Sequence, residues 1–262
     1  MASIATATLP RLDAPPIREA VVEYRFSHAT DPDTKDLYVK EGDFRREFPE
    51  EEQLFEGTVN FQLSAKGLMA SAPEGAVRGF RFRSADRSRA VAFTQSSMAF
   101  SRFLNYQTRE QFLNEADYAL AAYLQLLPDA GTGTVVTRLG VRYINQIELD
   151  VDENATVSLE DYFGGLPTPI TDDPVVRVGI DQQMRSDLRD ENSRVRLHGP
   201  VPNEHEGAFA AFVVDIDVWR DVRVPVGRRD AIMTVLSSLL DLRSRLFFGS
   251  VKPKALERYG YR

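Results

Sequence analysis

The sequence predicts an α+β protein built from two β-α-β(3–4)-α halves, whose strands form a wide antiparallel sheet with one long helix per half. Three observations predict it. Short segments alternate apolar and polar residues with period 2, the pattern of antiparallel strands with one buried face. That period gives way twice to a 3.6-residue apolar repeat, over 108–127 and 230–247. The order of elements is also the same before and after residue 134, which reads as an internal duplication of one supersecondary unit. Residues 1–16, rich in Pro and Ala, are expected as a flexible tail, 17–133 as the first half and 134–262 as the second, packed with the first as one unit.

In 19–26, Ala20, Val22, Tyr24 and Phe26 share one face and Glu19, Val21, Glu23 and Arg25 the other, which predicts the first strand. Residues 37–48 carry a helical pattern stopped by Pro49. The acidic cluster 47–52 is expected as a solvated helix end or loop. Segments 57–64, 78–83, 89–94 and 98–103 alternate and are predicted strands, with 84–88 as a hairpin connection. Thr108 followed by Gln111 is a capping-box signal. Phe112, Ala116, Ala119, Leu120, Tyr123 and Leu127 then form the stripe of a helix ending near Pro128.

The second half opens with one long strand over 135–151, then a short helix at 158–163 and a loop at 164–174. Segments 175–182 and 194–198 are predicted strands. In 209–219, Ala210, Phe212, Val214, Ile216 and Val218 face one way, and Val213, Asp215 and Asp217 the other. Ile232, Val235, Leu236, Leu239, Leu242 and Leu246 stripe the helix 230–247, and 250–262 holds one more helical turn. This strand order resembles the plan of the TATA-binding-protein-like class, an analogy of fold that carries no function.

Four segments add a resemblance of sequence. They are residues 14–26, 100–106, 247–256 and the pattern Arg138-x-Gly140-x-Arg142-Tyr143-x-Asn145-x-Ile147. Together they resemble a sporadically distributed family of uncharacterised prokaryotic proteins of about this length, across nearly the whole chain. The resemblance implies a prokaryotic, soluble, stand-alone protein, and brings no activity, cofactor or catalytic residue with it.

Composition narrows the chemistry. The chain has no cysteine, so disulfides, thiolate metal sites and cysteine nucleophiles are excluded, in keeping with a reducing compartment; the expected location is the cytoplasm. No apolar run approaches the length of a membrane span. The formal charge of -7 disfavours a nucleic-acid partner, which would need a basic footprint. His28, His198 and His205 fall in separate predicted loops without metal-ligand spacing, and no cofactor is expected.

Three constellations remain. On the long strand Arg138 and Arg142 share a face with Gly140, and guanidinium forks suit phosphate or carboxylate; Arg102 with Asn105 and Tyr106, just before the first long helix, completes a candidate anion site. The bland reading pairs these arginines with acids on neighbouring strands, and has Asn145 cap a buried backbone group. Asp215 and Asp217, about 6.5–7 Å apart on one strand face, could hold Mg²⁺ with Glu19 and Glu23. Trp219 with Phe247, Phe248 and Tyr259 could form an exposed aromatic patch, or pack as core. The preferred reading is a non-enzymatic binding or assembly module with a protein partner or self-association as a homo-oligomer. The alternative is a metal-dependent phosphate-processing enzyme with an arginine-lined sheet face.

Overall fold

In a computed structural model the described residues are 10–58, 61–64, 67–70, 74–103, 106, 108–128, 132–150, 157–165, 178–186, 190–201 and 209–262. Among them the strands are β1 (Ile17–Ser27), β2 (Glu50–Thr58), β3 (Phe61–Ser64), β4 (Gly67–Ala70), β5 (Glu74–Arg83), β6 (Arg89–Thr94), β7 (Ser97–Phe103), β8 (Val135–Asp150), β9 (Val178–Ser186), β10 (Glu191–Val201) and β11 (Phe209–Pro225). The helices are α1 (Asp43–Glu47), α2 (Arg109–Leu126), α3 (Leu159–Tyr162), α4 (Arg229–Ser250) and α5 (Pro253–Leu256). Nine strands form one wide antiparallel sheet in the order β2-β5-β6-β7-β1-β8-β11-β10-β9, and β3 with β4 makes a separate hairpin. The class is therefore α+β, as expected. Two compact units divide the chain, one of residues 21–139 and 222–232, the other of 1–20, 140–221 and 233–262. Asn105, His205 and the loop 166–174 lie outside the described residues.

The unit of residues 21–139 is held by aromatic side chains. On β1 the alternation is as predicted: Val22, Tyr24 and Phe26 are buried, and Tyr24 and Phe26 stack along the strand. Phe26 stacks on Tyr123 of α2 with ring centroids 5.0 Å apart, and Phe93 of β6 meets Tyr123 at 5.4 Å. Phe44 of α1 contacts Phe48, Phe82 and Phe93, so three strands and two helices share one aromatic cluster. Thr108 caps α2, accepting from Gln111 N at 3.1 Å. The Gln111 side chain donates to Glu115 instead of closing the box. All six predicted stripe residues of this helix are buried.

Two expectations in this unit are corrected. The helix expected over 37–48 is broken. A 3₁₀ turn at Thr34–Leu37 is capped by Asp33, and α1 starts only after Gly42, whose φ of 99° no helix can continue through. In the acidic run 47–52, Glu47 ends α1 as expected, but Glu50, Glu51 and Glu52 open a strand, with Glu50 and Glu52 of β2 opposite Arg83 and Arg81 of β5. Glu52 pairs with Arg81 and Arg83 at 3.5 and 3.3 Å, Glu50 with Arg87 and Glu51 with Arg45. Arginines from β5, from α1 and from the connection after β5 take up the charge of these three glutamates. Gly79 lets β5 approach β6, since a Cβ there would lie 1.9 Å from Phe93 O.

In the second unit Val141, Tyr143, Asn145, Ile147 and Leu149 of β8 are buried, whereas Arg142, Ile144, Gln146 and Glu148 are half-buried, so the predicted faces are correct. The Arg243 guanidinium of α4 lies 3.6 Å from the centre of the Tyr143 ring. Val195 and Leu197 of β10, and Val214, Ile216 and Val218 of β11, are buried too, with Leu236 and Leu239 of α4. Phe163 bridges Val251, Gly164 N donates to Ser250 O and Lys252 N donates to Tyr162 O, which fastens α3 to the end of α4. Residues 11–14 of the expected tail are hydrogen-bonded to the chain end: Asp13 N and Ala14 N donate to Tyr259 O, and Arg11 exchanges backbone bonds with Arg262.

His28, just beyond β1, faces Thr134 Oγ1 at 3.1 Å and the Tyr123 hydroxyl at 3.5 Å. Burial lowers its pKa, outweighing the opposing pull of the Gln95 backbone and Asp31. A histidine kept neutral by folding contributes stability that is complete above its ordinary pKa and declines as pH falls, because the unfolded chain takes the proton first. The urea midpoint is therefore expected to drop between pH 7.5 and 5, and to drop less in His28→Gln.

Candidate functional site

Arg142 of the long strand belongs to a charge ladder across neighbouring strands of one unit. Register creates it. Arg196 of β10 stands opposite Asp215 of β11 on one side and Asp181 of β9 on the other; Arg194 stands opposite Asp217 and Gln183. Alternation keeps residues two apart on one face, so both arginines and the three aspartates are on the same side of the sheet.

Asp215 is the centre of the ladder. Its carboxylate is 5% exposed. Arg142 of β8 grips it with a fork: Nε donates to Oδ1 and Nη2 to Oδ2, each at 2.9 Å. Arg196 Nη2 adds an ion pair to Oδ2 at 3.1 Å. Three charge-assisted contacts offset the cost of taking this carboxylate out of water. The bond to Asp215 raises the Arg142 pKa above the usual guanidinium value, and the charges of Asp217 and Glu19 push the same way. Arg194 chelates Asp181, whose pKa is lowered chiefly by that bond. Arg142 and Arg196 remain 40% and 32% exposed, so the ladder is a half-open surface over a buried anchor.

The predicted site residues now have places. Arg142 is paired with an acid of a neighbouring strand, as the bland reading required, and that acid is Asp215. Arg138 shares the strand face of Arg142, is half-buried and has an interaction of its own. Arg102 is buried and donates through Nη1 to both oxygens of Glu115, at 2.6 and 2.7 Å, within the unit of residues 21–139. Any anion would have to displace these carboxylates from Arg102 and Arg142. Glu23 pairs with Arg25 at 3.1 Å. Among the described residues, no three acids or histidines gather as a metal could use. His198 lies on β10, not in a loop, and is exposed.

Asn145 is fully buried, and its Nδ2 donates to the Val214 and Tyr143 carbonyls at 3.0 and 3.4 Å. It caps a backbone group of the next strand. The aromatic set is divided. Phe247 is buried, Phe248 meets Phe247 and Tyr261, and the Tyr259 hydroxyl accepts from Glu148 N at 3.0 Å. Trp219, by alternation, shares the face of Asp215 and Asp217. The residues that sequence reasoning missed are Arg194, Arg196 and Asp181. Their alternation on predicted strands was legible, but the pairing register that makes them neighbours was not.

A cleft of about 420 Å³ opens beside the start of α2, lined by Glu47, Phe48, Arg89, Glu115 and Tyr118 among others. Arg89 binds Glu47 and lies 5.2 Å from the centre of the Phe48 ring. Burial, then Glu47, raises the Tyr118 pKa. In comparison with known proteins, the chain matches no family model and no curated protein.

Loss of Asp215 strands two guanidinium groups. Asp215→Asn is expected to lower the unfolding free energy by about 2 kcal/mol, as for a hydrogen-bonded charge losing its partner. Asp217→Asn, half-buried on the same face, is expected to cost under about 1 kcal/mol. Urea titration of both variants measures the difference.

Proposed function

We propose that this chain is a non-enzymatic binding or assembly module of prokaryotic cytoplasm, acting through a protein partner or through copies of itself. The observation that carries this reading is the self-neutralised ladder on the half-exposed sheet face. Here Asp215 accepts from two arginines, so the charged groups of this face are already engaged with one another. What such a face offers is fixed shape: planar guanidiniums held in place, with Trp219 on the same side. Arginine and tryptophan recur at the centres of protein interfaces.

Strand order supports the duplicated, TATA-binding-protein-like plan. After β1 the chain passes α1 to the outermost β2, then returns through β5, β6 and β7 to β1 before α2. After β8 it passes α3 to the outermost β9, then returns through β10 and β11 to β8 before α4. The motif from Arg138 to Ile147 opens this second half, which fits the resemblance to the prokaryotic family. Net charge speaks against a nucleic-acid partner.

Size-exclusion chromatography with light scattering, joined to native mass spectrometry, tests the reading. The expected result is a species of two or more chain masses, or a stoichiometric protein complex, without a bound small molecule. A monomer that carries a nucleotide or phosphate ester and turns it over with Mg²⁺ would overturn it in favour of the phosphate-processing alternative.

A further inference from the structure

The nine-stranded sheet ends in two edges, β2 and β9, and an edge strand presents backbone donors and acceptors to any strand that can match it. The two edges differ in charge. On β2, Glu50, Glu51 and Glu52 are consecutive. Two such strands paired antiparallel about Glu51 would set Glu50 against Glu52 of the other copy, and Glu51 against itself, which like charges forbid. On β9 every residue from 179 to 186 is exposed except half-buried Ile180. The strand has no proline or lysine and carries Met184, which is 45% exposed. Its two charges, Asp181 and Arg185, are placed symmetrically about Gln183.

Resting on the assembly reading above, we propose that β9 pairs antiparallel with β9 of a second copy of this chain about a twofold axis at Gln183, making one sheet continuous across a homodimer. A symmetric contact places each residue i opposite j and j opposite i. With Gln183 on the axis, Asp181 of each copy stands opposite Arg185 of the other, giving two cross-strand ion pairs. Ile180 meets Ser186, and Met184 meets Gln182. Asp181 also keeps its bond to Arg194 of its own β10, so each charge pair between copies extends the ladder that ends at Asp215. Arg185 also pairs with Asp190 at 3.3 Å, between side chains that are 67% and 64% exposed, a surface pair of little weight. Backbone pairing supplies affinity and the charge pattern sets register.

The absence of cysteine makes the test clean. In Gln183→Cys the two introduced thiols lie on the axis, where facing Cα atoms of antiparallel strands are about 4.5–5.5 Å apart, within disulfide reach. Mild oxidation is expected to yield a covalent dimer, whereas Gln53→Cys on β2 stays monomeric under the same conditions. Light scattering at roughly 100 µM, suited to so small an interface, is expected to show a dimer of the native chain. Arg185→Glu, which sets a second carboxylate against Asp181 of the other copy, is expected to weaken that dimer about tenfold or more, with an unchanged urea midpoint. A dimer that neither crosslinks at residue 183 nor responds to Arg185→Glu overturns the β9 contact and leaves the assembly reading standing. A chain that is monomeric and captures no protein partner overturns both.

Discussion

A carboxylate in the interior of a β-sheet must be matched by cations, and Asp215 is matched by two. That demand organises the unit around it. Arg142 must come from β8 on one side and Arg196 from β10 on the other, with the registers that put them there. A one-residue slip of either strand would turn the arginine to the opposite face and bring the buried set of Val195, Leu197 or Val141 outward. Hydrophobic alternation alone would tolerate a two-residue slip; the charge triad does not. The ion pairs thus contribute register more than net stability, since much of their attraction is cancelled by desolvation.

The unit of residues 21–139 reaches the same end by other means. Its core is a set of contacting rings from β1, β5, β6, α1 and α2, and its charges are kept at the periphery. There Glu47, Glu50, Glu51 and Glu52 pair with Arg89, Arg87, Arg45, Arg81 and Arg83. Among the described residues of this unit, Arg102 is a buried cation, tied to Glu115 of α2. In both units a buried charge joins two elements: strand to helix in one, strand to strand in the other. Arginine serves in each because its fork fixes direction as well as charge.

Much of this was legible in the sequence. The period-2 pattern of 19–26 and the 3.6-residue stripe of α2 are local signals of which side is buried, and each gave the correct face. On α4 Ile232, Leu236 and Leu239 are buried, but Val235, Leu242 and Leu246 are half-buried and Leu240 and Phe247 are buried instead, and on β11 Ala211 is buried while Ala210 is half-buried. The shared face of Arg138 and Arg142 followed from the same alternation. Signals that depend on pairing were not legible. The run 47–52 has the composition of a solvated helix end or loop; Glu47 does end α1, but Glu50–Glu52 pair with β5, where arginines lie opposite Glu50 and Glu52. The pattern of 37–48 is helical in spacing, but Gly42 breaks it through a backbone angle that apolar periodicity does not report. For the candidate site, Arg142 and Asp215 were both singled out, in rival roles as anion binder and metal ligand. Only the placement of β8 beside β11 shows that each occupies the other.

The ladder is built from arginine throughout, and the sequence has no lysine between Lys66 and Lys252. Guanidinium keeps its proton at any pH a folded protein survives, so the cationic half of the network cannot be switched by pH. It is also invisible to amine chemistry. Reagents that acylate or crosslink lysine leave β8, β9, β10 and β11 untouched, so a contact on this surface would escape an amine-directed crosslinking survey and come to light only with reagents aimed at arginine or carboxylate.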